Sequence, residues 1–165
     1  MWRSPIDSDY YNLSKPRIAD FQEATLKHCT GIKWKNPYAV TLTLRRSIGP
    51  QRLDQITASQ TVHHFLNKMN RQVLGRRQSS RERLRTFSVF EWAAHPHVHL
   101  CIECPPLTDW QSFESAVRSA WSGTAWARQE ICVVPCHQID GWLAYMTKTR
   151  TKACYPEAID WTNCY

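Results

Sequence analysis

The sequence predicts an α+β fold: one central, mainly antiparallel sheet with packed helices, in a ferredoxin-like or RRM-like sandwich. Three observations predict it. From Tyr38 onward, strand-like and helix-like stretches interleave in the order β-α-β-β-α-β-α. The two middle strands, TFSVFEW and HVHLCIE, are joined only by AAHP, short enough for a hairpin turn. The helical stretches carry apolar residues at three-to-four spacing, which gives each helix a face to lay on a sheet.

The elements follow in order. Residues up to about Asn36 are polar and mixed, with one helix expected in PRIADFQEATLKH; they read as an N-terminal arm or accessory helix outside the core, with the main domain over 37–165. YAVTLTL alternates and is rich in β-branched residues, so it predicts a strand. Ile56, Val62, Phe65, Leu66, Met69 and Val73 recur at helical spacing and predict a long amphipathic helix that Gly75 ends. GRRQSSRERLR then places five arginines in eleven residues, either a solvated loop or a phosphate-contacting surface. Arg76, Arg77, Arg81 and Arg83 are its candidate DNA contacts. After the hairpin, Pro105 and Pro106 stop the strand, and Thr108 is the expected N-cap of a helix in DWQSFESAVRSAW. EICVVPC predicts the last strand and IDGWLAYMTKTR the last helix.

At 165 residues the chain has the size of one domain with its own core. Apolar residues make up 42% and charged residues 21%, a balance that excludes wholesale disorder. Lysine plus arginine outnumber acidic residues by 21 to 14, giving +7 and favouring a polyanionic partner, most commonly nucleic acid. MWRSPIDSDYYNLSKPR lacks the apolar core of a signal peptide, and no stretch is long and apolar enough to span a bilayer; no membrane partner and an intracellular location are expected. The seven cysteines are then reduced thiols rather than a disulfide framework. Cys101-x-x-Cys104 with Cys132-x-x-x-Cys136 has the makings of a zinc site, but Cys101 and Cys132 sit in strand-like apolar runs where buried structural cysteines also occur. No G-x-x-x-x-G-K-[ST] loop is present, which argues against a P-loop ATPase.

AHPHVHLCIE holds three histidines in five residues. Side chains alternate along a strand, so His97 and His99 share one face while Val98, Leu100 and Ile102 share the other. The expectation is ligands outward and apolar anchors inward. Glu91, on the other arm of the hairpin, should lie across from His97 and supply a third ligand, with His95 as its rival. A carboxylate beside two imidazoles suits Mg²⁺ or Mn²⁺. The competing reading is a half-exposed strand with incidental histidines. In GWLAYMTKTRTK, Tyr145 and Lys148 at i and i+3 share a helix face, with Lys152 one turn further. An ammonium there can attract a phosphate and offset charge building on it.

The strand YAVTLTL, the hairpin FEWAAHPHVHL and the helix YMTK stand in an order and at spacings that resemble the three motifs of HUH-superfamily Rep endonucleases, the rolling-circle replication initiators of small replicons. Pro96-His97-Val98-His99 matches the second motif and Tyr145-Met146-Thr147-Lys148 the third; Val40-Thr41-Leu42-Thr43-Leu44 fits the first more loosely. The resemblance spans Tyr38 to Lys152. It implies an HUH endonuclease fold in which His97, His99 and Glu91 hold one Mg²⁺ or Mn²⁺. Tyr145 would attack single-stranded DNA at a replication origin, with or without a flanking hairpin, and keep a 5′-phosphotyrosine; Lys148 would manage charge at the phosphate. One tyrosine occupies the motif, which implies a single-tyrosine nickase of a phage or plasmid, working in a bacterial cytoplasm with a host helicase. A sister family, the single-tyrosine HUH transposases of insertion sequences, carries a glutamine one turn after the tyrosine, where this chain has Thr149. From another class, a non-catalytic RRM-like module would bind single strands by stacking on aromatic residues.

Overall fold

Alternation in PYAVTLTL builds the centre of the sheet. Tyr38, Val40, Leu42 and Leu44 are buried on one face, while Ala39, Thr41 and Thr43 take the other. This computed structural model describes residues 15–75, 82–92, 95–148 and 155–165. In chain order the elements are α1 (Lys15–Thr30), β1 (Pro37–Leu44), the short strands β2 (Ser47–Ile48) and β3 (Gln51–Arg52), α2 (Gln55–Val73), β4 (Thr86–Trp92) and β5 (Pro96–Glu103). They continue with α3 (Trp110–Ser122), β6 (Ala127–Pro135), α4 (Ile139–Met146), α5 (Tyr155–Ala158) and a 3₁₀ turn at Trp161–Asn163. The main sheet runs β4-β5-β1-β6 with every neighbouring pair antiparallel. Leaving out the small β2–β3 ribbon, its strands lie second, third, first, fourth, which is the ferredoxin-like arrangement the sequence predicts.

Each face of the sheet carries its own cluster. On one side α2 and α3 cover the sheet with Val62, Phe65, Leu66, Met69, Phe113, Val117 and Trp121, packed on Val40, Leu42, Val98, Leu100 and Ile102. Truncating a residue as enclosed as Phe65 costs about 3–5 kcal/mol, lost burial and cavity together. On the other side Phe87, Val89 and Cys101 meet Leu143 and Met146 of α4, with Ile18, Phe21 and Leu26 of α1 packed against them. The helix expected outside the core therefore closes a second one. Cys29, near its C-terminal end, is 1% exposed.

Several local expectations are corrected. Ile56 keeps the helical spacing of α2 but is 70% exposed, because it lies in the first turn, beyond the reach of the sheet. The N-cap of α3 is Asp109, whose carboxylate accepts the Ser112 N–H at 2.9 Å; Thr108 belongs to the preceding turn, its N–H bonded to Pro105 O. The last helix is shorter than its pattern. It ends at Met146, and Thr147 caps it by turning its own hydroxyl back to Leu143 O at 2.7 Å. Gly75 does end α2, at a φ of 87° that a side chain would strain.

The outer edge of β4 is covered by the C-terminal segment. Ile159 bridges Val89, and Thr86 and Tyr165 exchange two backbone hydrogen bonds. Beneath this segment Asn163, fully buried, donates to Asp160 Oδ2 at 2.7 Å and to Ser59 O at 3.0 Å, which ties the segment to α2.

Candidate active site

The hairpin register places the candidate ligands. Glu91 faces His97 and Val89 faces His99; on the other side of β5, Thr43 faces His97 and Thr41 faces His99. All of these point to the α1–α4 side of the sheet, because Val98 and Leu100 between them are taken up by the first cluster. Glu91 thus lies across from His97, as the sequence predicts.

The surface exposure predicted for the histidines is corrected. His99 is only 4% exposed, since α4 lies over β5 at this point. Its Nε2 is 3.2 Å from Glu91 Oε2, and its Nδ1 is 3.0 Å from Thr41 Oγ1. His97 is half-buried, its ring 6.3 Å from that of His99 and nearly perpendicular to it. Its Nδ1 is buried without a hydrogen-bond partner. Burial holds the His97 pKa below the usual value of 6.5, against the pull of Glu91 in the other direction, which favours the neutral ring with one lone-pair nitrogen.

From α4, the Tyr145 ring stands edge-on to His99 with centroids 5.5 Å apart, and 44% of the residue is exposed. Trp142, one turn earlier, stacks on it at 5.3 Å and 13° and anchors itself by donating Nε1–H to Leu100 O at 3.1 Å. Lys148, just past the helix, sets its Nζ 3.9 Å from the Tyr145 ring centroid and 4.0 Å from Glu91 Oε2. The phenol is held between an indole and an ammonium, with the histidine–carboxylate pair beside it. Gln22 of α1 donates to Thr147 O at 2.9 Å and fixes the end of α4.

The donors suit a divalent ion. Adjacent ligands in an octahedron with bonds of about 2.1 Å stand about 3.0 Å apart, close to the 3.2 Å between His99 Nε2 and Glu91 Oε2. Thr41 Oγ1 can accept a hydrogen bond from Nδ1–H of His99, the tautomer that leaves Nε2 as the lone-pair nitrogen toward Glu91. His97, its ring 6.3 Å from that of His99, carries a buried nitrogen without a hydrogen-bond partner. As the side chains stand, no group of three or more His, Cys, Asp or Glu among the described residues is gathered for an ion, so His97 has to turn to complete the set.

Not every expected residue joins this site. His95 turns away, its exposed ring hydrogen-bonded through Nδ1 to Arg128 at 3.2 Å. Arg83 lies beyond the far end of β4 and packs on Tyr165, NH1 to Oη at 2.9 Å. Arg76, Arg77, Arg81, Lys152 and Thr149 lie outside the described residues. The four-cysteine zinc set is not assembled: Cys101 points into the second cluster, Cys104 into the first, and Cys132 is exposed. Sequence reasoning missed Thr41 and Trp142. Thr41 carries a signal in the alternation of β1, whereas Trp142 reads there only as part of an apolar stripe. No helix among the described residues is long and apolar enough to cross a membrane. No family model matches the chain, and neither a curated protein nor a solved structure matches it.

Proposed function

We propose that the chain is a metal-dependent endonuclease that nicks and rejoins single-stranded DNA, initiating rolling-circle replication as the resemblance to single-tyrosine HUH Rep proteins implies. The observation that carries this reading is the convergence of a half-exposed phenol, a histidine–carboxylate pair and a lysine from two distant parts of the chain. Glu91, His97 and His99 would hold Mg²⁺ or Mn²⁺, which when bound polarises the scissile phosphate. Tyr145 oxygen attacks phosphorus in line and gives up its proton. The bond from phosphorus to the 3′ oxygen breaks, and that oxygen leaves as a hydroxyl after taking a proton. The 5′ end remains as a phosphotyrosine. Because one phosphodiester bond is exchanged for another, the reverse attack by a 3′-hydroxyl reseals the strand without a nucleotide cofactor. Lys148 offsets the charge that builds on the phosphate, and Trp142 restricts the phenol to one orientation, lowering the entropy cost of attack. The origin strand, a flanking hairpin and a host helicase are the partners this reading calls for.

The test incubates the chain with single-stranded oligonucleotides of randomised centre and Mn²⁺, then separates products on a denaturing protein gel. The expected result is a slower band that survives boiling in SDS and disappears with EDTA and in Tyr145→Phe. Absence of the band, with tight metal-independent binding of the same pool, would replace the nickase with a stacking single-strand binder.

A further inference from the structure

A second concavity lies at the edge of β4, on the α2 side of the sheet. It is a cleft of about 570 Å³ whose apolar walls are Ile56, Phe90 and Trp161. Its polar groups include Ser59, Gln60 and Asp160. Pockets of this size, apolar with a few convergent polar groups, are the usual form of a small-ligand site. Two of the walls are conspicuous, since Ile56 is 70% exposed and Trp161 52%, and both are set at the mouth of one cleft.

The charge of the lining narrows the ligand. On a chain of net +7, the described residues lining this cleft include the carboxyls of Asp160 and Glu157 and no lysine or arginine. That selects against a phosphate or any other anion. What suits an exposed indole, an aliphatic wall and amide, hydroxyl and carboxyl groups is a flat, uncharged heterocycle with N–H groups on its edge. A nucleobase meets that description. The indole wall already has a neighbour, Phe21, whose ring stands edge-on to it with centroids 6.4 Å apart, and the backbone after it is tied down through Asn163, bonded to Asp160 Oδ2 at 2.7 Å and His63 Nδ1 at 3.1 Å. Little ordering cost is left for binding.

We propose that this cleft receives one unpaired base of the single strand, as a specificity site next to the candidate active site. It rests on the single-stranded DNA reading above. Phe90 in the cleft is the chain neighbour of Glu91, and successive strand residues point to opposite faces. A strand passing around this edge of the sheet would lay a phosphate toward Tyr145 and Lys148 on one face and a nearby base toward Trp161 on the other. Bases with an amino group are preferred over thymine, because the exposed carboxylate of Glu157 accepts hydrogen bonds, whereas both Asp160 oxygens are already engaged by Ser59 and Asn163.

The test uses the full chain carrying Tyr145→Phe, in EDTA, so that neither cleavage nor metal contributes. Anisotropy is read with labelled oligo-dA, oligo-dC, oligo-dT and an abasic oligomer. Trp161→Ala is expected to weaken oligo-dA and oligo-dC about ten-fold, the abasic strand not at all, while Trp161→Phe keeps most of the affinity. Ile56→Ala, at an exposed position that folding does not depend on, is expected to cost about three-fold on the same strands. Unchanged affinities in both variants, or equal losses on abasic and base-bearing strands, would overturn the proposal. So would free deoxyadenosine binding that is lost in Trp161→Ala without any base-dependent loss on strands, since that marks a free-nucleoside site. Covalent adduct formation by the chain with Tyr145 intact is read separately in Mn²⁺, so failure of the cleft and failure of the nickase give different patterns.

Discussion

Thr41 shows how much one hydroxyl can decide. Its hydroxyl can donate to His99 Nδ1 while Nε2–H bonds to Glu91, or accept from Nδ1–H when Nε2 offers its lone pair to an ion, so one contact serves both states of the site. Asp160 is a second such residue. Burial raises its pKa above the usual 3.8, outweighing the hydrogen bonds from Asn163 and Ser59 that lower it. The folded chain therefore keeps this proton to a higher pH than the unfolded chain does. Between 3.8 and the raised value the folded state binds more protons, so this contribution to stability is present at low pH and is lost as pH rises. Thermal unfolding of wild type and Asp160→Asn, from about pH 4 to neutrality, should show the wild-type melting temperature falling relative to the variant as pH increases. A pH-independent difference would mean that burial does not hold the proton.

Among the elements, the β4–β5 hairpin and the α2 helix were the most legible, because their signals are local. Strict alternation fixed which residues share a face, and the antiparallel register sets Glu91 across from His97. Helix ends were harder, since which residue caps a helix depends on backbone conformation, and the sequence reading named only Thr108 for α3. For α3 the structure chooses Asp109 over Thr108. Asp109→Ala should cost about 1 kcal/mol in urea unfolding, and Thr108→Ala a few tenths at most. Equal losses would return the cap to the whole turn. The shortening of α4 has the same origin: Thr147 turns its hydroxyl back onto the helix and ends a pattern that, on periodicity alone, would continue.

For the whole molecule, charge and layering carry the argument. A chain of +7 that binds a single strand through phosphates should release counterions. Affinity of the Tyr145→Phe chain for a single strand is expected to drop about ten-fold or more between about 50 and about 200 mM salt. A salt-independent affinity would remove the electrostatic component and leave stacking alone. The layering decides the site, because α1 and α4 turn what looked like a wet strand face into an enclosed one. His99 gains a dry environment there, in which its pairing with Glu91 is electrostatically stronger than on an open surface.

The shared helix face expected for Tyr145 and Lys148 is not formed, since α4 ends at Met146 and Lys148 meets the ring from beyond it; the sequence by itself determined the fold class, the strand and helix order, and the pairing of Glu91 with His97. Each of these depends on side-chain period or on a short turn, which neighbouring residues impose. Only the tertiary structure decided that His99 is buried, that Trp142 stacks on Tyr145, that Cys101 and Cys104 part to different cores, and that Ile56 and Trp161 frame one cleft. Those facts join segments as far apart in the chain as Ile56 and Trp161, and their outcome is set by how two helical layers share the faces of one sheet. No local pattern carries that information.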